Sequence, residues 1–212
     1  MIHAVTALQG VVRMEPTPKD FSDKFAKSLT MFFRWFADTF FAKRYGHRAV
    51  ILETVAGVPG MVAGMWIHLK SLRKMKTGYG PTIRTLLEEA ENERMHLMIF
   101  IEIAKPSVGE RLLVLFAQLV FWHFYFILYV FFPKTAHRMV GYFENQAVIS
   151  YTDYLAEIDA GRIENIAAPK IAIDYYKLPA DAKLRDVVIA VRNDEQGHAD
   201  VNHDMADRPL LV

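Results

Sequence analysis

Residues 86–97 read LLEEAENERMHL and residues 192–198 read RNDEQGH. Both contain Glu-x-x-His, as Glu93-Arg94-Met95-His96 and Glu195-Gln196-Gly197-His198, the only two such matches in the chain. Three residues along a helix turn about 300°, so the carboxylate and the imidazole leave one face as neighbours. Such a pair can grip one metal ion. A single pair is weak: with eight histidines, chance supplies about half a match, and a surface pair is the ordinary reading. Asp200-x-x-His203 repeats the spacing and is expected to be a decoy on a solvated face.

Two pairs on separate helices carry more. A di-iron bundle sets two Glu-x-x-His pairs on two helices and adds one Glu from each of the other two. Glu53 lies in the apolar run VILETVAGVPG, and Glu144 follows GYF. A carboxylate on an apolar helix face is costly unless paired, protonated or bound to metal. Glu53 precedes Glu93 by 40 residues and Glu144 precedes Glu195 by 51, each the length of a helical hairpin. The fold class is therefore expected to be all-α, a ferritin-like four-helix bundle. Glu53, Glu93, His96, Glu144, Glu195 and His198 are the candidate metal ligands, and two iron ions the expected cofactor. Four carboxylates offset two divalent charges, and an oxygen and nitrogen donor set suits iron and dioxygen. Manganese would accept the same donors.

The 212 residues suffice for one domain, expected over 16–212 behind a flexible arm over 1–15. Hydrophobic residues make up 52% and mean hydropathy is +0.11, so surplus apolar surface must be covered by lipid or a partner. A net charge of +1 gives nucleic acid no footing. With no cysteine, disulfides, thiolate catalysis, iron–sulfur clusters and Cys-based zinc sites are excluded. The opening MIHAVTALQG reads as neither a secretory signal nor a transit peptide.

Phe21, Phe25, Leu29, Phe32, Phe36 and Phe40 recur at three and four, flanked by Lys24, Lys27, Arg34 and Arg44. Residues 20–44 are thus either a helix in a membrane interface or an amphipathic helix on its own core. Further helices are predicted over 46–75, kinked at Pro59, and over 81–105, 134–161 and 184–205, with 162–182 irregular. The run LLVLFAQLVFWHFYFILYVFF, 112–132, is long enough to span a bilayer. Its short breaks make it an antiparallel neighbour of helices too charged for hydrocarbon, so it is read as lying sideways in one leaflet or in an interface.

The blocks RAVILETVAGVPGMV (48–62), LLEEAENERMHL (86–97), PKTAHRMVGYFEN (133–145), IAIDYYKLP (171–179), LRDVV (184–188) and DVNH (200–203) resemble the alternative oxidases. These are cyanide-insensitive quinol oxidases of respiratory chains, and the likeness extends over about residues 20–207. It implies oxidation of ubiquinol and four-electron reduction of dioxygen to water without proton pumping, at a di-iron carboxylate centre held by the same six residues. It implies a homodimer bound to one leaflet, with 20–44 and 112–132 as the bilayer surface. The expected location is the inner face of a bacterial inner membrane or the matrix side of the mitochondrial one. Tyr151 maps onto a catalytic tyrosine that could donate an electron and a proton. Arg48, Leu52, Gln146 and Ser150 map onto the quinol pocket, and Asn92, Arg94, His137, Tyr175 and Asp194 onto positions around the ligands.

The chain departs from the family pattern in places. Glu144-Asn145-Gln146 stands where three consecutive acids are usual, Gly197 sits inside a ligand helix, and Tyr176 replaces a usual Trp. The cysteine switch of plant members is absent. Two rival readings remain: another di-iron carboxylate protein, such as a hydroxylase or ferroxidase, and a non-catalytic membrane-associated helical scaffold.

Overall fold

The computed structural model describes residues 15–41 and 44–208. Among them are seven helices: α1 (Phe21–Phe41), α2 (Tyr45–Lys74), α3 (Gly80–Ala104), α4 (Val108–Phe131), α5 (Pro133–Asp159), α6 (Lys170–Tyr176) and α7 (Leu184–Asp207). The protein is all-α as expected; an antiparallel bridge, Ala167 to Lys183, closes the loop around α6. Of the arm expected at 1–15, all but Glu15 lies outside the described residues.

Two helix pairs build the bundle, α2 along α3 and α5 along α7. Glycine lets each pair close tightly. At Gly60 of α2 a Cβ would strike the Leu86 carbonyl and sit 3.0 Å from Ala90 Cβ of α3. At Gly141 of α5 it would fall 2.6 Å from the His203 ring of α7. Pro59 lies inside the continuous helix α2, where it forfeits one backbone donor and its ring crowds the carbonyl four residues before it. Apolar clusters fill both ends of the bundle, one around Phe100, Tyr151 and Val188, the other around Val62, Leu86, Tyr125 and Met139.

α1 packs chiefly on α5, and α4 on α2 and α5. The start of α1 is tied down by charge. Fully buried Arg138 of α5 donates to Asp23 at 2.9 Å and also pairs with Asp207 at the end of α7. α2 and α4 are both apolar enough to cross a membrane, but 61% of the relevant stretch is buried in α2 and only 17% in α4. α2 is therefore a core helix. α4 leaves Leu112, Leu115, Phe116, Leu119, Ile127 and Phe131 exposed, and α1 leaves Phe25, Phe32, Trp35 and Phe36 exposed.

Two boundaries correct the expectations. α4 begins at Val108, four residues before the apolar run, because Ser107 and Glu110 form a reciprocal cap: Glu110 N–H donates to Ser107 Oγ at 3.3 Å and Ser107 N–H to Glu110 Oε2 at 2.8 Å. The supposedly irregular 162–182 holds α6, whose seven residues are too short to show a stripe.

Candidate metal centre

Buried acids interrupt the apolar face of every bundle helix: Glu53 on α2, Glu89 and Glu93 on α3, Glu144 on α5 and Glu195 on α7. Helical spacing adds His96 beside Glu93 and His198 beside Glu195. Ligand atoms of Glu53, Glu93, His96 and Glu195 lie within 4.8 Å of one another. His96 Nδ1 is 3.4 Å from Glu53, 3.5 Å from Glu93 and 3.2 Å from Glu195. His198 Nδ1 lies 2.6 Å from Glu93 and 3.7 Å from Glu195.

These atoms face one another without making proper hydrogen bonds. Both oxygens of Glu93 and of Glu195, Glu53 Oε2, and Nδ1 of both histidines are buried and unpartnered. Buried polar groups are normally satisfied, so such a convergence calls for a cation. The electrostatics agree. Burial, then the charges of Glu195 and Glu93, push Glu53 and Glu144 well above the usual carboxylate range. Burial also works against Glu93, but His198 and His96 hold its carboxyl well below that range. Burial disfavours charge on the two imidazoles, yet Asp194 with three glutamates for His96, and Glu93 for His198, push them well up. Four carboxylates this close cannot all ionise without positive charge among them. Two divalent ions fit that donor set.

Around His96 the structure brings together several residues expected there. His96 Nε2 is 3.2 Å from Asp194 Oδ2. Asn92 donates to Asp194 at 3.0 Å and to the Tyr175 hydroxyl at 2.8 Å. Tyr176, which spacing did not assign a role, donates to Asp194 at 2.7 Å and stacks on the His96 ring. The carboxylate fixes the ring so that Nδ1 points at the cluster.

Tyr151 of α5 is buried, and its O–H donates to Glu53 of α2, in the other helix pair, rather than to Glu144 on its own helix. Burial and then the Glu53 charge push its phenol well up, so it stays protonated. A cleft of about 20 Å³ lies beside it, lined by Tyr45, Ala49, Leu52, Glu53, Ser150 and Tyr151, among others. Arg48 is not a surface cation. It is buried one turn before Leu52, pairs with Asp38 of α1, and leaves its Nε unpartnered.

Three expectations are corrected. Gln146 does not line the cleft: its amide turns to α1, accepting from Arg34 at 2.5 Å and donating to Glu15 at 3.1 Å. Arg94 is exposed and grips Glu91 with two bonds of 2.7 and 2.6 Å, because one residue past Glu93 points about 100° away. His203 is not on a solvated face: it lies in the space Gly141 leaves, facing Arg138 and Asn145.

His137 lies further out, 3.1 Å from Asn202, which in turn donates to Glu89. Glu89 and Asn202 were missed. Their signal was in the sequence, four residues before Glu93 and four after His198, on the ligand faces. Burial pushes the Glu89 carboxyl up to about 7.

A family model described as alternative oxidase matches residues 4–207. The mitochondrial ubiquinol oxidase of Batrachochytrium dendrobatidis is 58% identical over 194 residues, 92% of this chain and 61% of that protein. That of Mangifera indica is 57% identical, over 90% of this chain and 59% of its own length. Ubiquinol oxidase 1a of Arabidopsis thaliana is 57% identical, over 90% and 53%. The chain thus spans 53–61% of the length of these curated relatives.

Proposed function

The chain belongs to the alternative oxidase family, and we propose that it oxidises ubiquinol and passes the electrons to dioxygen, giving water, at a di-iron carboxylate centre. The observation that carries this is the convergence of buried, unpartnered ligand atoms from α2, α3 and α7, with a tyrosine O–H of α5 joining them to a neighbouring cleft. Glu53, Glu93, Glu144 and Glu195, with His96 and His198, would hold the iron. The iron pair supplies the reversible electron storage that no side chain here can.

The protein supplies the rest. Leu52 and Ser150 line the cleft, and Arg48 stands one turn away with an unpartnered Nε to offer a quinol oxygen. Tyr151 and Glu53 both border the cleft, so a proton released there can reach Tyr151 Oη as the phenol passes its own to Glu53. The same phenol is placed to give an electron with that proton. The cleft is far smaller than an ordinary ligand pocket of about 300–1,000 Å³. The ring must therefore displace the α1 seam, where Asp38 holds Arg48 and Arg34 holds Gln146.

The exposed apolar faces of α1 and α4, with Lys24 and Arg111 beside them, suit one leaflet of a respiratory membrane, the mitochondrial inner membrane in keeping with the relatives' names. A separate stripe on α2, Met61, Met65, Leu69 and Leu72, is exposed at helical spacing and suits a second copy. Purified protein should carry close to two irons per chain. In liposomes it should show cyanide-resistant, quinol-dependent oxygen uptake. Iron without quinol turnover would favour a hydroxylase or ferroxidase, and absence of bound metal would sink the reading.

A further inference from the structure

The two Glu-x-x-His helices, α3 and α7, belong to different helix pairs. Across the centre they are linked by polar side chains. On one side Asn92 and His96 meet Asp194. On the other, one turn beyond Glu93 and His198, the Asn202 amide donates to both oxygens of Glu89, at 2.9 and 3.0 Å. Asn202 also donates to the backbone carbonyl of His198 at 3.1 Å.

The direction of this amide is set from further away. The Tyr129 hydroxyl of α4 lies 3.3 Å from His137 Nε2, and His137 Nδ1 lies 3.1 Å from Asn202 Oδ1. The neutral ring has one donor and one acceptor nitrogen. Only one assignment satisfies the whole row: Tyr129 donates to Nε2, Nδ1–H donates to Asn202 Oδ1, and the amide NH₂ is left facing Glu89 and His198. All four residues are buried. The row does not serve as a proton wire, because a carboxamide does not readily hand a proton on. It fixes orientation instead.

We propose that Asn202, aligned by Tyr129 and His137, is a positioning residue that clamps α7 to Glu89 of α3 and so sets the approach of His198 to Glu93. Resting on the di-iron reading above, this gives the centre a second brace opposite Asp194, and one that reaches it from the apolar-faced helix α4.

The test uses chelator-stripped full-length protein titrated with Co²⁺, followed by its d–d absorption. Asn202→Leu should bind about 10–100-fold more weakly than wild type, with altered bands, as losses around metal ligands generally do. His137→Phe, two links from the metal, should weaken binding several-fold. Glu89→Gln keeps one of the two acceptor oxygens for the amide and should fall between wild type and Asn202→Leu. The proposal is overturned if Asn202→Leu or His137→Phe, folded by circular dichroism, binds Co²⁺ with wild-type affinity and spectrum. A Glu89→Gln loss as large as that of Asn202→Leu would also overturn it, by showing that charge rather than alignment matters. Should Asn202→Leu not fold, His137→Phe decides. Wild-type protein that takes up no Co²⁺ overturns the metal reading itself, a result distinct from equal binding by wild type and variants.

Discussion

His96 and His198 follow their glutamates by the same three residues, yet their settings differ. His96 has no exposed side-chain surface, is held at Nε2 by Asp194 and is covered by Tyr176. His198 keeps 13% of its side chain exposed and is held through its backbone by Asn202, next to a glycine whose Cβ position faces open space. The spacing of a motif sets direction; the neighbouring helices set how firmly that direction is kept. The α3 pair is the more firmly held of the two, and the α7 pair the more yielding.

The strongest way to break this comparison is at the residue both pairs share. Glu93 lies within 3.5 Å of both imidazoles. Glu93→Ala should abolish metal binding, a loss above about 100-fold set against the 10–100-fold of an outer residue; metal analysis decides, and two retained irons would remove Glu93 from the centre.

Acid probes the bracing on the α7 side. Burial pushes His137 down to about 4. Between pH 6.5 and 4 the unfolded chain therefore binds a proton that the folded chain refuses. The contribution of the neutral ring is intact above 6.5 and fades as pH falls towards 4, by up to about 3 kcal/mol. Amide exchange in metal-free protein should show α7 losing protection before α3; the reverse order would contradict the assigned asymmetry.

His96→Ala should cost about 1 kcal/mol more folding stability than His198→Ala, since it removes one of three hydrogen-bond partners of the half-buried Asp194 carboxylate. Urea unfolding of the two variants measures the gap, and equal midpoints would mean the brace is idle. Asp194→Asn should weaken metal binding about 10–100-fold while sparing the fold. The smallest effect is expected at Gly197. An added Cβ meets nothing within 4 Å, so Gly197→Ala should stabilise the protein by about 0.5–1 kcal/mol and stiffen the yielding pair. A lower melting temperature would show that the glycine is needed for some other reason.

Spacing along one helix was legible in the sequence. It put Glu93 with His96 and Glu195 with His198 on shared faces, and Glu53 and Glu144 stood out as acids in apolar runs. Spacing does not fix the rotation of one helix against the next. That is why Tyr151, two turns from Glu144, has Glu53 as its partner, and why Gln146, near the cleft in sequence, turns to Arg34. The same gap hid the pairing of Glu89 with Asn202, although each sits on a ligand face. His203 was misjudged for another reason: whether it lies inside depends on Gly141, 62 residues away, having no side chain.

The buried Arg138–Asp23 bond has a mechanical consequence. It pins α1 near its first turn, whereas Asp38, which holds Arg48, lies 15 residues along the same helix, about 22 Å from the pin. α1 is then a lever with its fulcrum at Asp23. A tilt of about 5° would swing the far end by about 2 Å, enough to part Asp38 from Arg48 while the pinned end stays in register.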